Sequence, residues 1–167
     1  KVCGGGGVGI EGGVAIGFDG KGRGYGVCGV IETLLLAESV AEEVLQRLVP
    51  KYQAEGVEVS GCGRTRQLVP GAIAATEEDW GTEFLAPVLA VRVVVNLDQA
   101  IEHIERYGSG HTDPIVTQAH EASRRCLRTV ESSSAMATEY PKSANGFQYG
   151  LLAERRHRKH KVPDRGP

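Results

Sequence analysis

Residues 85–95, LAPVLAVRVVV, form a nearly continuous apolar run rich in valine. A strand with one wet face alternates polar and apolar residues. A run without alternation needs cover on both faces, as in a parallel sheet. Parallel neighbours require long crossovers, usually helical, and the sequence on either side supplies them. Ser39 precedes Val40, Ala41, Val44, Leu45, Leu48 and Val49 at helical spacing, with Glu42 placed for a capping box and Pro50 and Gly56 bracketing the end. Asp98 leads a second helix carrying Ala100, Ile101, Ile104 and Tyr107, which stops at Gly108, and residues 119–130 form a third. Short apolar runs at 30–36, 57–59 and 115–116 have strand length. Strands alternating with helices predict an α/β fold with a mainly parallel sheet and flanking helices.

The front of the chain does not fit this pattern. About half of the 23 glycines fall before residue 30. Gly4, Gly6 and Gly9 have the spacing of a dinucleotide-binding turn, which carries meaning only between a strand and a helix. No apolar strand precedes them and no helix-periodic run follows, so residues 1–25 are expected to be a poorly ordered segment, since ordering many glycines is entropically unfavourable. The expected division is therefore 1–25 glycine-rich, 26–154 catalytic-type α/β domain and 155–167 basic tail.

Charge narrows the partners. The chain has 19 Lys and Arg against 21 Asp and Glu, a formal −2. The tail at 155–167 holds six of the basic and one of the acidic residues, leaving the body with 13 basic against 20 acidic, or −7. An acidic body offers no general attraction for nucleic acid or anionic lipid. No apolar run approaches the ~18 residues of a membrane helix, and no charged-then-apolar leader opens the chain. The expectation is a soluble cytoplasmic protein with a small-molecule substrate, without nucleic acid or membrane partners.

Cys3, Cys28, Cys62 and Cys126 form no C-x-x-C pair, so neither a metal knuckle nor a redox dithiol is signalled, and no metal is expected. Cys28 lies between a glycine-rich approach and a strand, where a thiol can meet substrate. On local pattern alone, both a nucleophile and a small buried hydrophobe are open readings.

The segment GVCGVIETLL at 26–35 resembles the motif of gamma-glutamyl phosphate reductases, in the aldehyde dehydrogenase superfamily, where the catalytic cysteine precedes an E-T-L-L run. Further blocks follow in the same order: GCGRTR at 61–66, ATEEDWGTEFLAPVL at 75–89, LDQAIEHIERYGSGHTDPIVT at 97–117 and GFQYGLLAE at 146–154. The resemblance implies the catalytic-domain fold of that superfamily and a C-terminal catalytic portion. It implies thiolate attack by Cys28 on an acyl phosphate, a thioester, and reduction by NADPH to glutamate 5-semialdehyde in proline biosynthesis. It places Glu83, in an E-x-F-G-P-like stretch, on the nicotinamide ribose, and Ser109 and Thr112 near substrate phosphate or carboxylate. His111 reads as a structural loop residue, and Glu32 as positional. A homo-oligomer and association with glutamate 5-kinase are also implied.

The chain departs from the family pattern in several places. Gly29 replaces an Asn, and only Lys21 and Arg23 echo the N-x-K-T-Q-R-P approach to the cysteine. Residues 138–143 replace N-x-S-T-R-F, and RRHRKHK at 155–161 replaces an apolar run. The family's dinucleotide-binding domain lies upstream of its cysteine. The accompanying expectation is a truncated copy, inactive alone, with a degraded non-catalytic relative as the alternative.

Overall fold

The computed structural model describes residues 2–4, 10–22, 30–110, 112–117, 119–130 and 134–138. Seven strands, β1 (Val2–Gly4), β2 (Thr33–Ala37), β3 (Glu58–Gly61), β4 (Ile73–Ala74), β5 (Val88–Val94), β6 (Thr112–Val116) and β7 (Ser134–Thr138), form one sheet in the order β4-β3-β5-β2-β1-β6-β7. Every pairing is parallel. The helices are α1 (Ile10–Gly22), α2 (Glu38–Ala54), α3 (Gly63–Leu68), α4 (Leu97–Tyr107) and α5 (His120–Thr129), with a 3-10 turn at Glu78–Gly81.

The period-two geometry of a strand is visible in β2. Leu34 and Leu36 join a core with Val14 of α1 and Ala41, Val44, Leu45, Leu48 and Tyr52 of α2. Leu35 points the other way, into a second core with Ala100, Ile101 and Ile104 of α4 and Cys126 of α5. The sheet is thus covered on both faces, as the valine-rich run at 85–95 required.

The front of the chain is a correction. Residues 2–4 are an internal strand, with Cys3 opposite both Leu35 and Ile115, and residues 10–22 are a helix against α2. The physical reason is tertiary. The slot between β2 and β6 supplies backbone partners to β1, and glycine lets α1 approach closely. A Cβ on Gly17 would stand 3.0 Å from Leu48 Cδ2, and the Tyr52 hydroxyl donates to the Gly17 carbonyl at 2.6 Å. Residues 2–4 and 10–22 therefore belong to the same unit as the rest of the sheet.

Smaller differences have local causes. α2 begins at Glu38, with Ala37 in the N-cap position and no side-chain cap, so Ser39 sits inside the first turn and forms no capping box. Pro50 lies within α2, which continues because Tyr52 is buried on the core face. The stop falls at Gly56, whose φ of +70° suits glycine. In α4 the N-cap is Asn96, whose side chain accepts from the Gln99 amide at 3.0 Å. β7 had no counterpart in the sequence pattern. The expectations for 139–154 and for the basic tail lie outside the described residues.

Candidate active site at the amino edge of the sheet

In an all-parallel sheet, each helix-to-strand connection returns to the amino edge. Residues 23–32 lead into β2, residues 82–87 into β5 and residues 108–111 into β6. Glu83, Ser109 and Thr112 thus lie in connections or at a strand start at this one edge, and Glu32 stands there just before β2. β2 and β5 are hydrogen-bonded neighbours. β6 lies two strand spacings beyond β2, roughly 10 Å. Doubly wound sheets more often use the opposite, carboxyl edge, and Cys62, directly after β3, belongs there. A strand of five residues separates the edges by about 17 Å.

Cys28 and His111 lie outside the described residues. Glu83 is exposed, and Ser109 is exposed at the approach to β6. Thr112 opens β6. The end of α1 and the segment that follows Glu83 come together through Glu32. One Glu32 carboxylate oxygen meets Lys21 Nζ at 2.6 Å, and the other accepts a long 3.4 Å bond from the Leu85 amide. Lys21 is fully buried and Glu32 15% exposed.

The stretch before Glu83 is anchored by aromatic packing. Trp80 is buried and lies edge-on to the His103 ring, with centroids 5.3 Å apart, while the Arg92 guanidinium stacks 5.6 Å from the Trp80 ring centre. Arg92 also pairs with His103 Nδ1 at 3.2 Å. Thr76 and Asp79 bond reciprocally, side chain to amide, at 2.7 and 3.4 Å, fixing the turn that presents Trp80. Glu77 meets Arg106 at 3.1 Å and also receives the Tyr107 hydroxyl. Downstream, Leu85 adopts φ +49° with its side chain exposed. A non-glycine residue in that region is strained and persists where the surroundings impose it.

Sequence motifs singled out Glu83 but gave no sign of the Leu85 backbone conformation or of the pairing of Lys21 with Glu32. The only available signal was the position of Lys21 in the echo of the family's approach to the cysteine.

At the carboxyl edge, Cys62 precedes α3 and is partly exposed. Half-burial opposes ionisation of its thiol. The Thr65 hydroxyl at 3.4 Å, the Val93 amide at 3.5 Å and the nearby Thr65 and Arg64 amides outweigh it, so the thiol ionises below its ordinary range. Cys126 is buried, and burial together with the Asp113 charge pushes its thiol up.

No family model matches the chain. Among solved structures, it is similar to gamma-glutamyl phosphate reductase from Thermotoga maritima at 33% identity and a TM-score of 0.79, over 81% of this chain and 33% of that one. The Saccharomyces cerevisiae gamma-glutamyl phosphate reductase aligns at 21% identity and a TM-score of 0.63, over 87% and 36%. An acetylating aldehyde dehydrogenase from Geobacillus thermoglucosidasius aligns at 17% identity and a TM-score of 0.62, over 81% and 39%. The latter two show the shared fold. The chain spans about a third of the length of these proteins.

Proposed function

We propose that this chain, which has the aldehyde dehydrogenase superfamily fold and is similar to gamma-glutamyl phosphate reductase, carries the thiol side of NADPH-dependent acyl-phosphate reduction. The observation that supports this most directly is topological: Glu32, four residues after Cys28 in the sequence, and the segment after Glu83 lead into neighbouring strands at one edge, and the Glu32 carboxylate accepts from the Leu85 amide.

In this reading the Cys28 thiolate attacks the acyl carbon of gamma-glutamyl phosphate. A carbon–sulfur bond forms, the carbon–oxygen bond to phosphate breaks, and inorganic phosphate leaves. NADPH, when bound, supplies a hydride to the thioester carbon. Glutamate 5-semialdehyde forms as the carbon–sulfur bond breaks and Cys28 is released as thiolate. Glu83 fits a cofactor role because it is an exposed carboxylate able to accept from two ribose hydroxyls. In the same reading Ser109 and Thr112, at the entry to β6, would take the substrate's phosphate or carboxylate. The setting would be proline biosynthesis in the cytoplasm, in a homo-oligomer, with association with glutamate 5-kinase as a further expectation.

The test is NADP reduction at 340 nm with glutamate 5-semialdehyde and phosphate, using the polypeptide that carries these residues. Turnover that disappears in Cys28→Ala, and a KM for NADP raised about tenfold or more in Glu83→Gln, would support the assignment. A second reading, a non-catalytic relative, is favoured by Gly29 after the cysteine and by the basic run at 155–161. Absence of cysteine-dependent turnover would select it.

A further inference from the structure

We propose that His103 is a positioning residue which, in its uncharged form, latches Arg92 against Trp80 and so holds the turn that presents Glu83. A guanidinium carries donors and no acceptor, so the Nδ1 of His103, 3.2 Å from Arg92, must accept. The ring is therefore neutral, with its proton on Nε2. The same ring meets Trp80 edge-on with centroids 5.3 Å apart, and the guanidinium lies 5.6 Å from the Trp80 ring centre. Imidazole, guanidinium and indole thus each contact the other two, and His103 and Trp80 are buried. The turn carries this anchor towards Glu83. The Thr82 hydroxyl donates to the Glu78 carbonyl at 2.8 Å and the Thr82 amide to the Asp79 carbonyl at 3.3 Å, one residue before Glu83.

An aliphatic neighbour would serve as well if Trp80 needed only to be packed. What the histidine adds is a bond that depends on one lone pair, and that lone pair is lost when the ring takes up a second proton. Nδ1 then presents an N–H to the guanidinium, and two cations face each other inside a buried cluster, an arrangement that burial disfavours. Arg92 faces the ring from β5. On α4 itself, Arg106 stacks on Tyr107, whose ring centroid is 4.7 Å from that of His103. On the segment before Glu83, Glu77 is engaged by Arg106 at 3.1 Å and by the Tyr107 hydroxyl, and Asp79 accepts from the Thr76 amide. α5, packed on α4, sends Arg125 to Asp98 in the first turn of α4. Proton uptake by His103 therefore releases Arg92, unseats Trp80 and loosens residues 78–83. The consequence for cofactor binding rests on the role proposed for Glu83.

Trp80 is the chain's one tryptophan, so its fluorescence reads the latch directly. Fluorescence and amide exchange, corrected for the intrinsic pH dependence of exchange, are followed as pH is lowered from about 8 to about 5, across the range in which histidines take up protons. In the unaltered protein, Trp80 emission should change reversibly, and exchange in residues 78–83 should quicken about fivefold or more relative to β5. His103→Asn keeps an acceptor near the place of Nδ1 and does not titrate. It should hold exchange in 78–83 within about twofold of the unaltered protein at the upper pH and lose the pH response. His103→Leu keeps bulk without the acceptor and should be loose at both ends of the range. Long-range proton–nitrogen correlation within the ring reads the tautomer at the upper pH without any substitution. A proton on Nδ1, an emission that stays flat with pH, a response that survives in His103→Asn, or exchange in His103→Leu as slow as in the unaltered protein would each overturn the proposal. Should a variant not fold, the ring tautomer and the pH response of the unaltered protein decide. None of these measurements needs cofactor or turnover, whereas the role of Glu83 is read from the KM for NADP in Glu83→Gln, so the two can fail separately.

Discussion

Tyr52, near the end of α2, donates its hydroxyl proton to the backbone carbonyl of Gly17 in α1 at 2.6 Å, a buried bond between the two helices. Burial raises the phenol far above its ordinary ionisation range, so it remains a donor through mildly alkaline conditions. Tyr52→Phe leaves a buried carbonyl without this partner and should cost about 1–3 kcal/mol, read as a lower urea midpoint with an unchanged m-value. A loss below ~0.5 kcal/mol would mean that water replaces the phenol.

Removing one partner of the Lys21–Glu32 pair should be worse than removing both. Glu32→Leu leaves a buried ammonium without its carboxylate and is expected to destabilise by about 3–5 kcal/mol, while the double replacement with Lys21→Met recovers most of that. Chemical denaturation of the three proteins gives the coupling directly. Additive losses would show that Lys21 finds another counter-charge.

The pH dependence of thiol modification should separate Cys62 from Cys126. The Cys62 thiol ionises below, and the Cys126 thiol above, the ordinary value of about 8.5. Alkylation of Cys62 should reach half its limiting rate at the lower pH, with both followed by peptide mass spectrometry. The linkage runs in opposite directions. A depressed folded value at Cys62 contributes stability that is present above the unfolded pKa and lost as pH falls through the folded one. A raised value at Cys126 contributes stability that is fully present below the unfolded pKa and lost as pH climbs through the folded one. Identical profiles for the two thiols would contradict the environments described.

The cap of α4 offers a simple check on local structure. Asn96→Ala removes the acceptor of the Gln99 amide and should cost about 1 kcal/mol, whereas Asn96→Gly should cost only a few tenths. Thermal unfolding of the two variants should rank them in that order, and equal losses would point away from the cap.

The strands and helices that were legible in the sequence are those whose own residues declare them. β5 followed from unbroken apolar character, and α4 from the spacing of Ala100, Ile101 and Ile104 ending at Gly108. β1 and α1 were not legible, because neither carries an apolar pattern: one fills a slot made by β2 and β6, and the other uses Gly17 and Gly20 to approach Leu48 and Ile31. The site divides in the same way. Cys28 and Glu83 came from motifs. The partners of Glu32 lie 11 and 53 residues away along the chain, and only the fold shows that they meet.

The central place of β1 also bears on how the chain is made. Cys3 lies opposite Ile115, 112 positions later, so β1 waits for a neighbour made well after it. At about 5–20 residues per second, a ribosome takes roughly 6–22 s to cover that interval. Through that time one side of β1 has no native partner, and the helices that close over it gain their full sheet only when β6 arrives. Nascent chains paused before residue 112 should therefore call on chaperones more than chains paused after residue 138.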